Sequence, residues 1–117
     1  MVMWRQVLYQ VNYDRGMPQK KWFISRDQSY HGATADSLSL GERPNLEFFR
    51  PTLSPFRSRI PMHHPLYLKE ENETLDDYAK RSAQQLKDKI LEIGPEKVSG
   101  FVAETIMGGL VGDVPPA

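Results

Sequence analysis

Val98-Ser99-Gly100-Phe101-Val102-Ala103 decides the fold of this chain, because of what stands before it. The segment is short, apolar and rich in strand-forming residues, and it follows a Gly94-Pro95 stop, so it reads as a buried strand. Ahead of that stop, Leu75, Tyr78, Ala79, Ser82, Ala83, Leu86, Ile90 and Ile93 keep one face of a helix apolar or small from Leu75 to Ile93. Thr74 and Asp77 have capping-box spacing at its start, and Lys87 and Lys89 lie toward the negative end of its dipole. Further upstream, Lys21-Trp22-Phe23-Ile24-Ser25 is a second aromatic and β-branched stretch. Strand, crossover with helices, strand is the order of a parallel sheet, which places the chain in the α/β class.

Outside this unit the pattern is looser. Trp4, Val7, Leu8 and Val11 lie at helical spacing and predict a helix from about Met1 to the Gly16 and Pro18 turn. No capping residue precedes Trp4, so the helix reads as one entered from a longer chain. Ala33 to Leu40 predicts a short helix ending at Gly41. Glu42 to Asn72 carries Pro44, Pro51, Pro55, Pro61 and Pro65 and reads as an irregular crossover needing a surface to lie on. Two strands and three helices do not complete a parallel sheet, and Val114-Pro115-Pro116-Ala117 has loop composition.

Composition excludes several classes. The 117 residues contain no Cys, which rules out a disulfide scaffold. Fifteen basic against fifteen acidic residues give no net charge to attract a nucleic acid, and no apolar run approaches the ~20 residues of a transmembrane helix. Arg5 interrupts the apolar N-terminus and no small-residue cleavage site follows, so no signal peptide is read; the expected location is cytoplasmic.

In open α/β sheets ligands gather at the carboxyl ends of the strands. Two candidates fall there. After Ser25 comes Ser29-Tyr30-His31-Gly32, and after Ala103 comes Glu104. Tyr30 is either a platform for a planar ring or a loop anchor. His31 is an acid–base group, a hydrogen-bonding wall or a satisfied loop histidine. Glu104 follows apolar residues and needs a partner, whether functional or a structural ion pair. His63-His64 does not make a metal site, because adjacent side chains on an extended segment point apart. Gly108-Gly109-Leu110-Val111-Gly112 lacks the Lys-Ser/Thr of a P-loop and reads as a flexible turn.

Taken in order, Phe23-Ile24-Ser25-Arg26-Asp27-Gln28-Ser29-Tyr30-His31-Gly32-Ala33-Thr34, the Pro-rich crossover, and Gly94 to Glu104 closely resemble the middle of the class III pyridoxal-phosphate-dependent aminotransferases. The resemblance spans nearly the whole chain. It implies a partial fold-type I large domain, residues 1–117 being an incomplete segment of the domain that binds pyridoxal 5'-phosphate. It further implies that Tyr30 stacks on the cofactor ring, that His31 and Gly32 shape the adjoining wall, and that Glu104 lies close by. Thr105 departs from the family, which usually has Pro after this Glu. The implied partners are a small amino donor and a keto or aldehyde acceptor, and the implied assembly is a homodimer.

The family's phosphate-holding turn, pyridinium Asp and Schiff-base Lys are not recognisable in residues 1–117. None of Lys20, Lys21, Lys69, Lys80, Lys87, Lys89 and Lys97 stands in an equivalent of the Schiff-base position. The reading is therefore a fragment of an aminotransferase, inert as an isolated chain. Two alternatives are a non-catalytic interaction protein that keeps part of the fold, and a racemase or aminomutase relative using the same cofactor.

Overall fold

The computed structural model describes residues 3–41 and 44–106. In chain order the elements are α1 (Met3–Asp14), β1 (Trp22–Arg26), α2 (Ala35–Leu40), a 3-10 segment (Pro44–Thr52), β2 (Arg57–Ile60), α3 (Pro65–Leu68), α4 (Leu75–Ile93) and β3 (Val98–Phe101). The strands form one sheet in the order β2-β1-β3, and both pairings are parallel. The expected partnership of the Trp22 and Val98 strands is present, with Trp22 opposite Val98 and Ile24 opposite Phe101. The register slips by one residue between Trp22 and Phe23, leaving Ser99 as the extra residue of a bulge. Asn12 of α1 donates to the Ser99 Oγ at 2.9 Å and holds that irregular point.

β1 is central and lies between helices on both faces. Phe23, Ile24 and Ser25 are fully buried, as a strand covered on two sides must be. Alternation sends Ile24 toward α4, where Leu86, Ile90 and Ile93 pack against the Ile24, Ile60 and Val98 cluster. Phe23 and Ser25 point the other way. Phe23 meets Trp4 and Tyr9 of α1 edge-on, at ring-centroid distances of 5.3 and 5.7 Å. Ser25 donates to the Leu40 carbonyl at the end of α2 at 2.7 Å.

The capping box is formed in full. Asp77 N–H donates to Thr74 Oγ1, while Thr74 N–H donates back to the Asp77 carboxylate. At the other end Gly94 adopts φ 105°, a conformation that favours glycine, and its N–H donates to Ile90 O.

Three features differ from the sequence-based expectations. The irregular crossover contains β2, which is Arg-Ser-Arg-Ile between Pro55 and Pro61 and shows no apolar run. Its pairing with β1, not its composition, makes it a strand. β3 ends at Phe101 instead of Ala103, although Val102 N–H still donates to Ile24 O at 2.8 Å. On α1 the buried positions are Arg5 and Asn12, whereas Val7 and Val11 face outward. The Gly108 to Gly112 turn and the Val114 to Ala117 loop lie outside the described residues.

Arg5 explains the rotation of α1. Its guanidinium is sealed inside, ion-paired to Asp36 at 3.1 Å, donating to Ser39 and Ser54 hydroxyls at 3.2 and 2.7 Å, and 4.9 Å from the Phe23 ring centroid. A buried charge is tolerated only when so surrounded. Phe23→Ala is expected to cost about 3 to 5 kcal/mol by cavity formation, and Val7→Ala no more than about 0.5 kcal/mol. Urea midpoints for the two variants would refute this core assignment if they fell together.

Candidate functional site

Parallel pairing brings the ends of β1, β2 and β3 to one edge, and the segments that follow each strand meet there. The turn after β1 is tied down twice: Asp27 N–H donates to Ile60 O at 2.9 Å, and Ser29 Oγ donates to Arg26 O at 2.6 Å. Gln28 takes the left-handed φ of 58° needed to reverse the chain. Ser29 is consequently buried, while Tyr30 emerges with 42% of its surface exposed.

Tyr30 and Glu104, 74 positions apart, are joined directly. The Tyr30 backbone N–H donates to Glu104 Oε1 at 3.2 Å. The carboxylate therefore fixes the backbone that carries the aromatic ring, and 42% of the residue's surface is exposed. This partner is a backbone amide, not the basic side chain of a structural ion pair.

His31 sits behind Tyr30, 4% exposed, with Nε2 buried and holding no hydrogen bond. Burial lowers its pKa below the ordinary 6.5, and the nearby Glu104 carboxylate partly restores it. Gly32 has φ 119°, and a Cβ there would lie 3.1 Å from the Ser37 Cβ. Both conformation and space favour glycine at this point. Thr34 then caps α2 by accepting from Ser37 N–H. Tyr30, His31, Gly32 and Glu104 thus form one group at the carboxyl edge.

Arg26 joins the same edge and was not among the candidates. It ends β1, its guanidinium carbon lies 5.7 Å from the Phe101 ring centroid, and its Nη1 is buried without a hydrogen bond. Burial lowers its pKa, opposed by Tyr78 and Glu104. The available signal was an arginine at the end of a strand whose other residues are aromatic, β-branched or small. On the α4 side of the sheet, Arg26, Ile60, Pro61, His63, Ser82 and Phe101 border a cavity of about 290 Å³.

His63 and His64 are both buried, and they diverge as adjacent residues must. The His63 ring lies 5.0 Å from that of Tyr78, the His64 ring 4.4 Å from that of Tyr67, and His64 N–H donates to the Tyr78 hydroxyl at 2.9 Å. Among the described residues no cluster of His, Cys, Asp and Glu could hold a metal. Nor is any helix among them long and apolar enough to cross a membrane.

A twice-covered parallel sheet with an aromatic, an imidazole and a carboxylate at its carboxyl edge is an α/β fold of the open, wound type. Comparison with known proteins narrows this. No protein-family model matches the chain. An uncharacterized aminotransferase of Schizosaccharomyces pombe is 38% identical over 102 residues, covering 86% of this chain and 22% of the relative. The mitochondrial gamma-aminobutyrate transaminase 1 of Oryza sativa subsp. indica is 36% identical over 111 residues, covering 95% of this chain and 21% of the relative. The omega transaminase of Pseudomonas jessenii in complex with PMP superposes with TM-score 0.88 at 32% identity, over 97% of this chain and 25% of the other. A PLP-bound aminotransferase mutant from Vibrio fluvialis gives 0.83 at the same identity, over 98% of this chain and 25% of the other. By sequence and by fold the chain matches a segment of these aminotransferases. It spans about a fifth to a quarter of the length of the relatives it matches.

The opposed influences on His31 generate a test. Removing the carboxylate in Glu104→Gln should lower the His31 pKa further, because the desolvation remains and its counterweight is gone. An NMR titration of the His31 ring reads this directly, and an unchanged or raised value would separate the two groups. Because the folded-state pKa is depressed, the unfolded chain binds this proton more readily. The His31 contribution to stability is therefore complete above about pH 6.5 and is lost as pH falls below it.

Proposed function

We propose that this chain supplies the cofactor-ring wall of a class III pyridoxal-phosphate-dependent aminotransferase, an enzyme that moves an amino group from a small amino donor to a keto or aldehyde acceptor. The observation that carries the reading is the hydrogen bond from Tyr30 N–H to Glu104, which presents a half-exposed aromatic ring at the carboxyl edge of a parallel sheet. A planar heteroaromatic group fits such a surface. Tyr30 would lie against its ring, Gly32 would turn the backbone beside it with a φ that favours glycine, and His31 would close the wall with an imidazole kept neutral by burial.

When bound, pyridoxal phosphate supplies an electron sink for the bonds being broken at the donor carbon. This chain's own residues bind and orient. Tyr30 holds the ring plane by offset stacking, worth about 0.5 to 1.5 kcal/mol beyond area burial. Glu104 keeps Tyr30 in register, and the Ser25 and Ser29 hydroxyls anchor the underlying turn on the Leu40 carbonyl.

Several lysines of the described residues serve elsewhere. Lys20 donates to the Pro95 and Val98 carbonyls, Lys97 ends the turn into β3 at the amino-terminal edge, and Lys80 and Lys89 are ion-paired on α4. The 117-residue chain is accordingly read as inert by itself, and the active assembly as a cytoplasmic homodimer of a longer polypeptide. The relatives' names and their bound PMP and PLP support the cofactor.

In a complete enzyme carrying this segment, Tyr30→Ala should weaken cofactor retention roughly five- to tenfold, and Tyr30→Phe should preserve it. Retention is read from cofactor absorbance after gel filtration, and equal retention in both variants would remove Tyr30 from the site. For the isolated chain, borohydride trapping with excess pyridoxal phosphate should leave label scattered over several lysines. One stoichiometrically labelled lysine required for turnover would contradict the assignment.

A further inference from the structure

On the α4 face of the sheet, a cavity of about 290 Å³ is bordered by Arg26. Alternation along β1 puts that side chain on the Ile24 side, opposite the face that α1 and α2 cover. Among the described residues its guanidinium makes no hydrogen bond and no ion pair, and its contact is with the Phe101 ring. Nη1 is buried without a partner, while Nε and Nη2 are not sealed. Glu104 influences this cation but uses Oε1 to accept from Tyr30 N–H and forms no ion pair with it. Arg5, on the opposite face, shows what a desolvated guanidinium requires in this fold: Asp36 at 3.1 Å and the hydroxyls of Ser39 and Ser54. Arg26 has no such set.

The rest of the wall tells what could accompany an anion there. Ile60 of β2, Leu86 of α4 and Phe101 of β3 make it largely apolar, and Ser82 adds a hydroxyl donor. Ala83, exposed on α4, stands at the rim. An apolar cavity of about 150 Å³ accepts benzene, so this one has room for a single ring with its substituent. Arg26 is the one permanently charged side chain of the wall, which matches one negative charge and not a polyanion. A planar carboxylate fits one edge of a guanidinium by two parallel hydrogen bonds. Neither Tyr30 nor Gly32 borders the cavity, so it is a place apart from the ring wall.

We propose that Arg26 and this cavity form a binding site for a small monocarboxylate with an apolar body, the carboxylate on the guanidinium and the hydrocarbon part against Ile60, Leu86 and Phe101. The competing explanation is that the Phe101 ring and solvent are all that Arg26 has, and that the cavity holds only water. The two make different forecasts. Calorimetric and NMR titrations of the 117-residue chain with benzoate, at constant ionic strength, should show saturable binding and shifts centred on Arg26, Ser82, Leu86 and Phe101. Benzyl alcohol, which keeps the ring without the charge, and acetate, which keeps the charge without the ring, should each bind at least about tenfold more weakly. Arg26→Gln should weaken benzoate binding about tenfold or more, Arg26→Lys less, and Lys80→Gln, on the exposed side of the same helix, not at all. Ala83→Leu places a good helix former at an exposed position, so it should narrow the rim and weaken binding without disturbing the sheet. In a complete enzyme carrying this segment, benzoate binding that depends on Arg26 should persist. Equal affinity for benzoate and benzyl alcohol, or for benzoate and acetate, would overturn the proposal, as would equal losses in Arg26→Gln and Lys80→Gln. Loss of the Arg26-dependent binding in the complete enzyme would also overturn it, since the enzyme's own groups would then fill the cavity.

Discussion

Parallel pairing on both sides of β1 governs this molecule. Two parallel neighbours cannot be joined by hairpins, so every connection must return along the length of the sheet, and the returning segments cover its faces. α4 lies on the Ile24 face and α1 with α2 on the Phe23 and Ser25 face, which is why β1 loses all contact with solvent at Phe23, Ile24 and Ser25. The same geometry directs all three strand ends to one edge. Residues 30 and 104 become hydrogen-bonded neighbours as a consequence of topology.

The Phe23 face is unusual in being built around a charge. Arg5 is 2% exposed and joins α1 to α2 through Asp36 and Ser39 and to the segment before β2 through Ser54. Such a centre is costly to desolvate, and the Asp36 carboxylate, three hydroxyl groups including Tyr9, and the Phe23 ring offset that cost together. Its contribution is one of arrangement: an arginine with these partners admits one rotation of α1, and that rotation carries Val7 and Val11 to the outside.

Charge also organises the carboxyl edge. Glu104 lies close enough to influence both Arg26 and His31, and in each case it offsets the burial that lowers the pKa. One carboxylate therefore orders the Tyr30 backbone while moderating a buried cation and a buried imidazole. The loop that carries Tyr30 therefore cannot shift without disturbing the electrostatics beneath it.

The amino-acid sequence by itself determined the α/β class, the long capped α4, the strands β1 and β3 and the identity of the edge residues Tyr30, His31, Gly32 and Glu104. Those signals are local: periodicity, caps, β-branched runs and a motif order characteristic of one family. It did not reveal β2, whose Arg-Ser-Arg-Ile composition resembles a loop and whose strand character comes from hydrogen bonds to Phe23 through Arg26. Nor did the spacing of Trp4, Val7, Leu8 and Val11 show which side of α1 turns inward, since that depends on Asp36, Ser39 and Ser54 meeting Arg5. Glu104 was legible as a carboxylate in need of a partner, but its partner was not, because a backbone amide at residue 30 carries no sequence signature. Tertiary structure decided these points, for the physical reason that each depends on groups brought together across the fold and not on the residues beside them in the chain.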